Sequence, residues 1–255
     1  MISRLSLAIA ASLGISSLAF AGTVTIRADE WCPFNCEPGE KPGYGIEIFT
    51  EAMKSAGHSV DYKVEPWARA LEKTKMGMYN AVIGANSGEI KEFTLKSGAE
   101  PIGVSMDCVF TASDSKIKFT KPSDLGLFKR IGVINDYDYS EDVQKWIDDP
   151  KNSGRVDAVA GDDPVAINIK KLEGGRIDAM IEDRSVMSYA LNQLALDKKI
   201  TSAGCLKPAK LFIAFNPKDP ESATHIKSLD TTITKLRKSG ELAKILAKYG
   251  LKDWK

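Results

Sequence analysis

Ala70-Leu71-Glu72-Lys73-Thr74-Lys75-Met76-Gly77-Met78-Tyr79-Asn80-Ala81-Val82-Ile83-Gly84-Ala85-Asn86-Ser87-Gly88 reads as a helix, a glycine, a short apolar strand and a polar loop in succession. The same order returns at Lys171-Leu172-Glu173-Gly174-Gly175-Arg176-Ile177-Asp178-Ala179-Met180-Ile181-Glu182-Asp183-Arg184-Ser185. A glycine just past a helical run marks its C-terminal cap, and a short apolar run bounded by turn residues fits a buried strand. In open α/β sheets, ligands collect beyond the carboxyl ends of the strands. Two such units therefore predict two lobes presenting polar loops to a shared crevice.

Outward from these units, Val24-Thr25-Ile26-Arg27-Ala28 alternates as a strand and ends in Asp29-Glu30-Trp31. Ile46, Phe49, Met53 and Ala56 share a helical stripe stopped by Gly57, and Val60, Tyr62 and Val64 mark the next strand. Pro66 suits the first turn of a helix whose inner side carries Trp67, Ala70, Leu71 and Thr74. Strand and helix alternating in this way predict a mostly parallel α/β lobe.

The second lobe repeats the logic, with strands expected at 130–134, 156–160 and 176–181 and helices at 142–147 and from Asp163-Pro164 through Leu172. A further helix carries Val186, Tyr189, Ala190 and Leu194 on one face. Residues 211–215 read as a strand returning to the first lobe. Two closing helices follow, one with Ile226, Leu229, Ile233 and Leu236 inward, the other with Leu242, Ile245, Leu246 and Tyr249. The expected boundaries are 22–108 plus 210–255 for lobe one and 112–206 for lobe two. Extended crossings near 108–113 and 204–211 would act as a hinge that absorbs the φ/ψ change of lobe motion.

Residues 1–21 read as a secretory leader: Arg4 supplies the positive end, 5–18 a small-residue apolar core, and Ala19-Phe20-Ala21 a cleavage site. A membrane span needs about 20 predominantly apolar residues, and this run is shorter and broken by Ser and Gly. The reading is export to a periplasm-like space with cleavage near Ala21. Removing Arg4 with the leader leaves 34 Lys and Arg against 34 Asp and Glu, interspersed along the chain. A nucleic-acid or anionic-membrane partner would call for a basic face, so neither is expected.

An even count of four cysteines, Cys32, Cys36, Cys108 and Cys205, in an exported chain favours two disulfides. Three pairings are open. The favoured one joins Cys32 to Cys36 and Cys108 to Cys205, because the latter two sit where the chain passes between lobes. A metal site is not expected, since Cys32-x-x-x-Cys36 has no nearby His and a poor spacing for zinc. No cofactor is expected either.

Candidate ligand contacts follow from strand ends and loops. Trp31 and Trp67 could wall a pocket, packing on apolar or cationic parts of a guest. Arg69 could reach the crevice or pair with Glu65 or Glu72 on the surface. Asn86 and Ser87 follow a buried strand with hydrogen-bonding groups. Asp183 and Arg184 occupy the matching place in lobe two, where they could instead cap the next helix. Asp136, Tyr137, Tyr139 and Ser140 crowd one loop. Tyr44 and Glu30 are weaker candidates, and His58 and His225 read as surface residues.

The stretch Glu65-Pro66-Trp67-Ala68-Arg69-Ala70-Leu71 through Ile83-Gly84-Ala85, the Gly132-Val133-Ile134 strand, and Gly175-Arg176-Ile177-Asp178-Ala179 through Asp183 resemble the family-3 extracellular solute-binding proteins. The resemblance spans essentially the whole mature chain. It implies a two-lobed periplasmic-binding-protein fold of type II, a small-molecule ligand held between lobes, a monomer, and the membrane permease of an ATP-driven importer as partner. Asp183 falls where amino-acid binders of the family pair a carboxylate with the ligand ammonium, and loop 135–140 where backbone N–H groups receive an anionic group. Those binders also place an arginine shortly after the strand equivalent to 79–85. Here Asn86-Ser87-Gly88-Glu89-Ile90-Lys91 holds none, and a lysine cannot reproduce a bidentate guanidinium clamp. The resemblance thus supports solute binding and argues against an α-amino acid.

Two other functions fit the same architecture. A dehydratase resembling periplasmic cyclohexadienyl dehydratases would need a cleft carboxyl of raised pKa, for which Glu30 and Asp183 are candidates. A sensory ligand-binding protein would hand its closed form to a membrane receptor. No Ser-His-Asp, Cys-His, metal-ligand or phosphate-loop constellation is visible, so the expected role is binding without catalysis.

Overall fold

The computed structural model describes residues 22–135, 137, 139–160 and 163–255; the expected leader at 1–21 and Asp136 lie outside the described residues. In chain order the elements are β1 (Thr23–Ala28), α1 (Tyr44–Ser55), β2 (Ser59–Val64), α2 (Trp67–Met76), β3 (Ala81–Ala85), α3 (Ser87–Glu92), β4 (Lys96–Ser97), β5 (Gly103–Ser105) and β6 (Asp107–Ala112). Next come β7 (Ile131–Ile134), α4 (Glu141–Asp148), β8 (Val156–Val159), α5 (Pro164–Glu173), β9 (Ala179–Asp183), α6 (Arg184–Gln193), β10 (Ile200–Cys205), β11 (Ala209–Phe215), α7 (Ser222–Ser239) and α8 (Glu241–Ala247).

These strands form two sheets, one ordered β2-β1-β3-β11-β4 with β5 also on β11, the other β10-β6-β9-β7-β8. In each sheet the helix-connected strands are parallel: β1 with β2 and β3, and β7 with β8 and β9. The strands next to the crossovers add antiparallel, β11 on β3 and β6 on β9. This is the two-lobed α/β architecture that the repeated unit predicts. Among the described residues no helix is long and apolar enough to cross a membrane.

Local chemistry explains the elements. Ile46, Ile48, Phe49 and Met53 are buried along α1, and burying a side chain of that size contributes about 1.5 to 3 kcal/mol. Gly77 closes α2 in a left-handed conformation (φ 93°) that other residues enter only with strain. Asp163 caps α5, its carboxylate accepting from the Ala166 amide at 3.0 Å, and Pro164 follows in the first turn.

The chain leaves the first sheet at Met106, between β5 and β6, and returns over 206–208, between β10 and β11. The first passage lies just before the stretch read from the sequence: residues 107–112 are already a strand of the second sheet. Cys108 and Cys205 stand opposite each other in the β6–β10 register and are bridged, with Cα atoms 4.0 Å apart. Cys32 and Cys36 form the second disulfide. Both bridges are the favoured pairing.

Two expectations are corrected. The strand read at 176–181 begins only at Ala179, because the Gly175 and Arg176 amides donate back to the Leu172 and Lys171 carbonyls and hold the preceding residues in a turn, while the Asp178 carboxylate accepts from the Lys129 and Arg130 amides at 2.8 and 2.6 Å. His225 is not a surface residue. It is 3% exposed, its ring stands edge-on to His58 at 5.0 Å, and burial lowers its pKa.

Candidate functional site

The carboxyl ends of β1, β3 and β9 point at one another across the gap between the sheets. A cleft of about 800 Å³ opens there. β1 delivers Asp29 and Trp31. β3 ends at Gly84 and Ala85, and its loop delivers Asn86, Ser87 and Glu89. β9 delivers Glu182 and Asp183, the loop after β7 delivers Tyr137, Tyr139 and Ser140, and the crossover to β11 brings Lys207 and Lys210. Gly84 has φ 102°, and a Cβ there would point at the six-membered ring of Trp31 about 4 Å away. The positive φ is what favours glycine at this position, since a Cβ would stand in ordinary contact with the indole.

Each aromatic wall is fixed by a carboxylate. Trp31 stacks on Phe34, with ring centroids 4.4 Å apart and planes 16° from parallel, and its Nε1 donates to Glu182 Oε1 at 3.2 Å, from one lobe to the other. Trp67 Nε1 donates to Glu89 Oε1 at 2.7 Å. Glu89 itself belongs to a capping box at the start of α3: the Asn86 side chain accepts from the Gly88 and Glu89 amides, and Glu89 Oε2 accepts from the Asn86 amide.

Asp183 is buried and fully engaged by backbone. Oδ1 accepts from the Ser185 and Val186 amides at 2.7 and 3.1 Å and Oδ2 from the Met106 amide at 2.7 Å. It caps α6 and ties that helix to the first crossover. Glu182 beside it is 2% exposed. Its Oε1 accepts from Trp31 Nε1 and the Asp183 amide, and its Oε2 has no hydrogen-bond partner. Burial, with the neighbouring Asp183 charge, pushes the Glu182 carboxyl up to about 8. Burial likewise pushes Asp29 up to about 7.

Of the residues singled out from the sequence, Trp31, Trp67, Asn86, Ser87, Tyr137, Tyr139, Ser140 and Asp183 line this cleft. Tyr139 is nearly buried, and its hydroxyl oxygen accepts from the Ile134 amide at 2.8 Å, strapping the loop to β7. Four others stand elsewhere. Tyr44 opens α1 inside the first lobe, packed among Phe34, Tyr249 and Trp254. Arg69 is 60% exposed on α2, 3.9 Å from Glu65 Oε1, in the surface pairing weighed against a ligand role. Arg184 is the exposed first residue of α6. Glu30 turns to a second, smaller concavity of about 190 Å³ shared with Cys32, Asp163, Val165 and Tyr189. The expected anion-receiving helix start carries Glu141 and Asp142 in the first turn of α4, which already occupy the positive end of that dipole.

Sequence reasoning passed over Asp29, Glu182, Asp107 and Glu89, all of which line the cleft. The signal was present for two of them: Asp29 directly follows β1 and Glu182 is the penultimate residue of β9. Glu182 was hidden because it sits one residue before Asp183, and period-two alternation assigns neighbours in a strand to opposite faces.

Two lobes joined by two extended crossings, with a molecule-sized cleft between them, define the two-lobed periplasmic-binding-protein architecture. No protein-family model matches the chain. It is 23% identical over 229 residues, 88% of this chain and 81% of the other, to a probable histidine-binding protein of Neisseria gonorrhoeae. Among solved structures, an ancestral arginine-binding protein bound to arginine superposes with a TM-score of 0.72 at 16% identity, covering 90% of this chain and 99% of that one. A histidine kinase sensor domain similar to periplasmic binding proteins superposes with a TM-score of 0.71 at 16% identity, covering 91% and 98%. The fold is thus the periplasmic-binding-protein fold, and the relatives are what the resemblance to extracellular solute-binding proteins implies.

Proposed function

We propose that this chain is an exported, monomeric receptor that captures a small polar or aromatic solute between its lobes and presents the closed form to the permease of an ATP-driven importer. The observation that carries the reading is the cleft itself, walled from one side by Trp31 and Trp67 and from the other by Tyr137 and Glu182. A solute touching both walls gains contacts only when the lobes meet, so it favours the closed form by its differential affinity alone. The two disulfides accord with an oxidising compartment outside the cytoplasm, and the relatives' roles accord with binding in place of turnover.

A thermal-shift screen of amino acids, amines, organic acids and short peptides tests it. A ligand at 100 times its Kd stabilises by about 2.7 kcal/mol, and X-ray scattering with the hit should show contraction. A mixed library that neither stabilises nor contracts the protein would defeat the reading. The raised pKa of Glu182 is what an acid catalyst of an elimination would use, so incubation with prephenate or arogenate is the counter-test. No product is expected, and turnover abolished by Glu182→Gln would replace the receptor with an enzyme.

A further inference from the structure

The buried charges of the cleft are all acidic. Glu182 and Asp183 are buried and Asp29 is partly buried, whereas the three lysines that line the cleft, Lys145, Lys207 and Lys210, are exposed, alongside Glu141 and Asp148. Lys145 is moreover committed to Glu141 Oε1 at 2.6 Å. Among the described lining residues there is no arginine. A carboxylate entering the cleft would thus meet carboxyl groups inside and flexible ammonium groups only at the rim.

A second, independent feature points to the sign of the guest. Glu182 is 2% exposed, yet its Oε2 has no donor within the protein. Leaving a buried acceptor unsatisfied costs about 1 to 3 kcal/mol, more for a charged group, so a guest that brings a donor to this carboxyl removes that cost. The Tyr137 phenol lies within electrostatic reach of both Asp29 and Glu182, so the two carboxyls, one from each lobe, stand near the same part of the cleft. Beside them Trp31 and Trp67 offer aromatic surfaces to a flat or positively charged group.

We infer that the solute is an organic cation, an amine, amidine or guanidinium on a flat or apolar body, whose positive end donates to Glu182 Oε2 near Asp29 and which needs no carboxylate of its own. This rests on the solute-binding reading and narrows it: the cleft selects for the cation, not for the amino-acid backbone. The guest's N–H groups complete the hydrogen bonding of Glu182, its body packs against the tryptophans, and Asp183 remains the cap of α6.

Calorimetric titration with paired probes tests this on the mature protein: agmatine against L-arginine, histamine against L-histidine, and phenethylamine against L-phenylalanine and phenylacetate. The expected result is that at least one amine binds no more weakly than its parent amino acid, and that phenylacetate binds at least tenfold more weakly than phenethylamine. Glu182→Gln should weaken the amine at least tenfold while leaving the unliganded protein folded. If that variant does not fold, Asp29→Asn is read in the same way, and the probe comparison on the unaltered protein decides by itself. The inference is overturned if no amine binds, if each parent amino acid binds more than tenfold tighter than its amine, or if the folded variant keeps full affinity. A neutral or acidic solute that contracts the protein would overturn it while leaving the receptor reading intact.

Discussion

Trp31 Nε1 lies 3.2 Å from Glu182 Oε1 and donates to it across the gap between the two sheets. The indole is backed by Phe34 on its own lobe, and the carboxyl sits at the end of β9 on the other. The bond exists only while the lobes are near one another, so if the lobes move as the proposed function requires, it favours the near arrangement without a solute. Trp31→Phe keeps the stacking and the bulk and removes the donor. The net worth of such a bond is about 1 kcal/mol, so solute affinity should fall roughly fivefold. The radius of gyration of the unliganded variant, measured by scattering, should rise; an unchanged radius and affinity would show that the bond sets neither.

Acidity should stabilise the unliganded protein. Asp29 and Glu182 titrate near 7 and 8 in the fold, above the usual unfolded values of about 4, because burial disfavours their charged forms. Between about pH 4 and 8 the fold therefore holds protons that the unfolded chain has released, and stability falls as pH rises through that window. Asp61 and Glu100, held below their ordinary values by hydrogen bonds from Arg27 and Lys255, act in the opposite direction, but only in the more acidic range where they take up protons. Calorimetric melting of the unliganded protein should give a higher Tm at pH 5 than at pH 8.5, and Glu182→Gln should flatten the slope. An organic cation should show the reverse trend, binding more tightly at pH 8.5 than at pH 6 and releasing protons as it binds.

Asp183 and Glu182 should separate on substitution. Asp183→Ala strips the acceptor from the Met106, Ser185 and Val186 amides, and losing a cap together with a buried acceptor should cost about 2 to 4 kcal/mol of stability. Asp183→Asn, which can still accept, should cost less. Urea unfolding measures both. If Asp183→Ala left stability unchanged but abolished solute binding, the carboxylate would be a ligand contact and not a structural cap.

The Cys108–Cys205 bridge closes a loop of sequence separation 97, and a crosslink of that span is worth about 4 to 5 kcal/mol through the unfolded chain. The double variant Cys108→Ser with Cys205→Ser should lose most of that in denaturant unfolding, while Cys32→Ser with Cys36→Ser, closing a separation of only 4, should lose much less. Equal losses would locate the effect in native packing and not in loop closure.

Most of the architecture was legible because it is local. The cap at Gly77, the Asp163-Pro164 helix start and the period-two runs of β1 and β2 each declare themselves within a few residues. What hid was set by partners distant in the chain. β4 and β5 are short strands that depend on β11, β10 pairs with β6, and His225 is buried on a helix face that looks polar on its own. In the site, aromatic walls at strand ends could be read from position, as Trp31 and Trp67 were. Which of two adjacent carboxyls is spent on backbone amides is decided by Met106 and by the start of α6, so the sequence alone pointed to Asp183 and passed over Glu182. Tyr44 was weighed only between a weak ligand role and a surface loop rich in Pro and Gly, although the side chain turns inward toward Tyr249 and Trp254, some two hundred residues later.

The place of β11 has a consequence for biosynthesis. It is the central connector of the first sheet, hydrogen-bonded to β3, β4 and β5, yet it emerges after the whole of the other lobe has been made. Until residues 209–215 are translated, β3 has an uncovered edge and β4 and β5 have nothing to pair with, whereas β6 through β10 form an uninterrupted unit. A ribosome-bound or partly translocated chain can complete the inserted lobe first, and the first must wait in an open, edge-exposed state that holding factors would recognise. Chain order thereby delays maturation until the tail arrives.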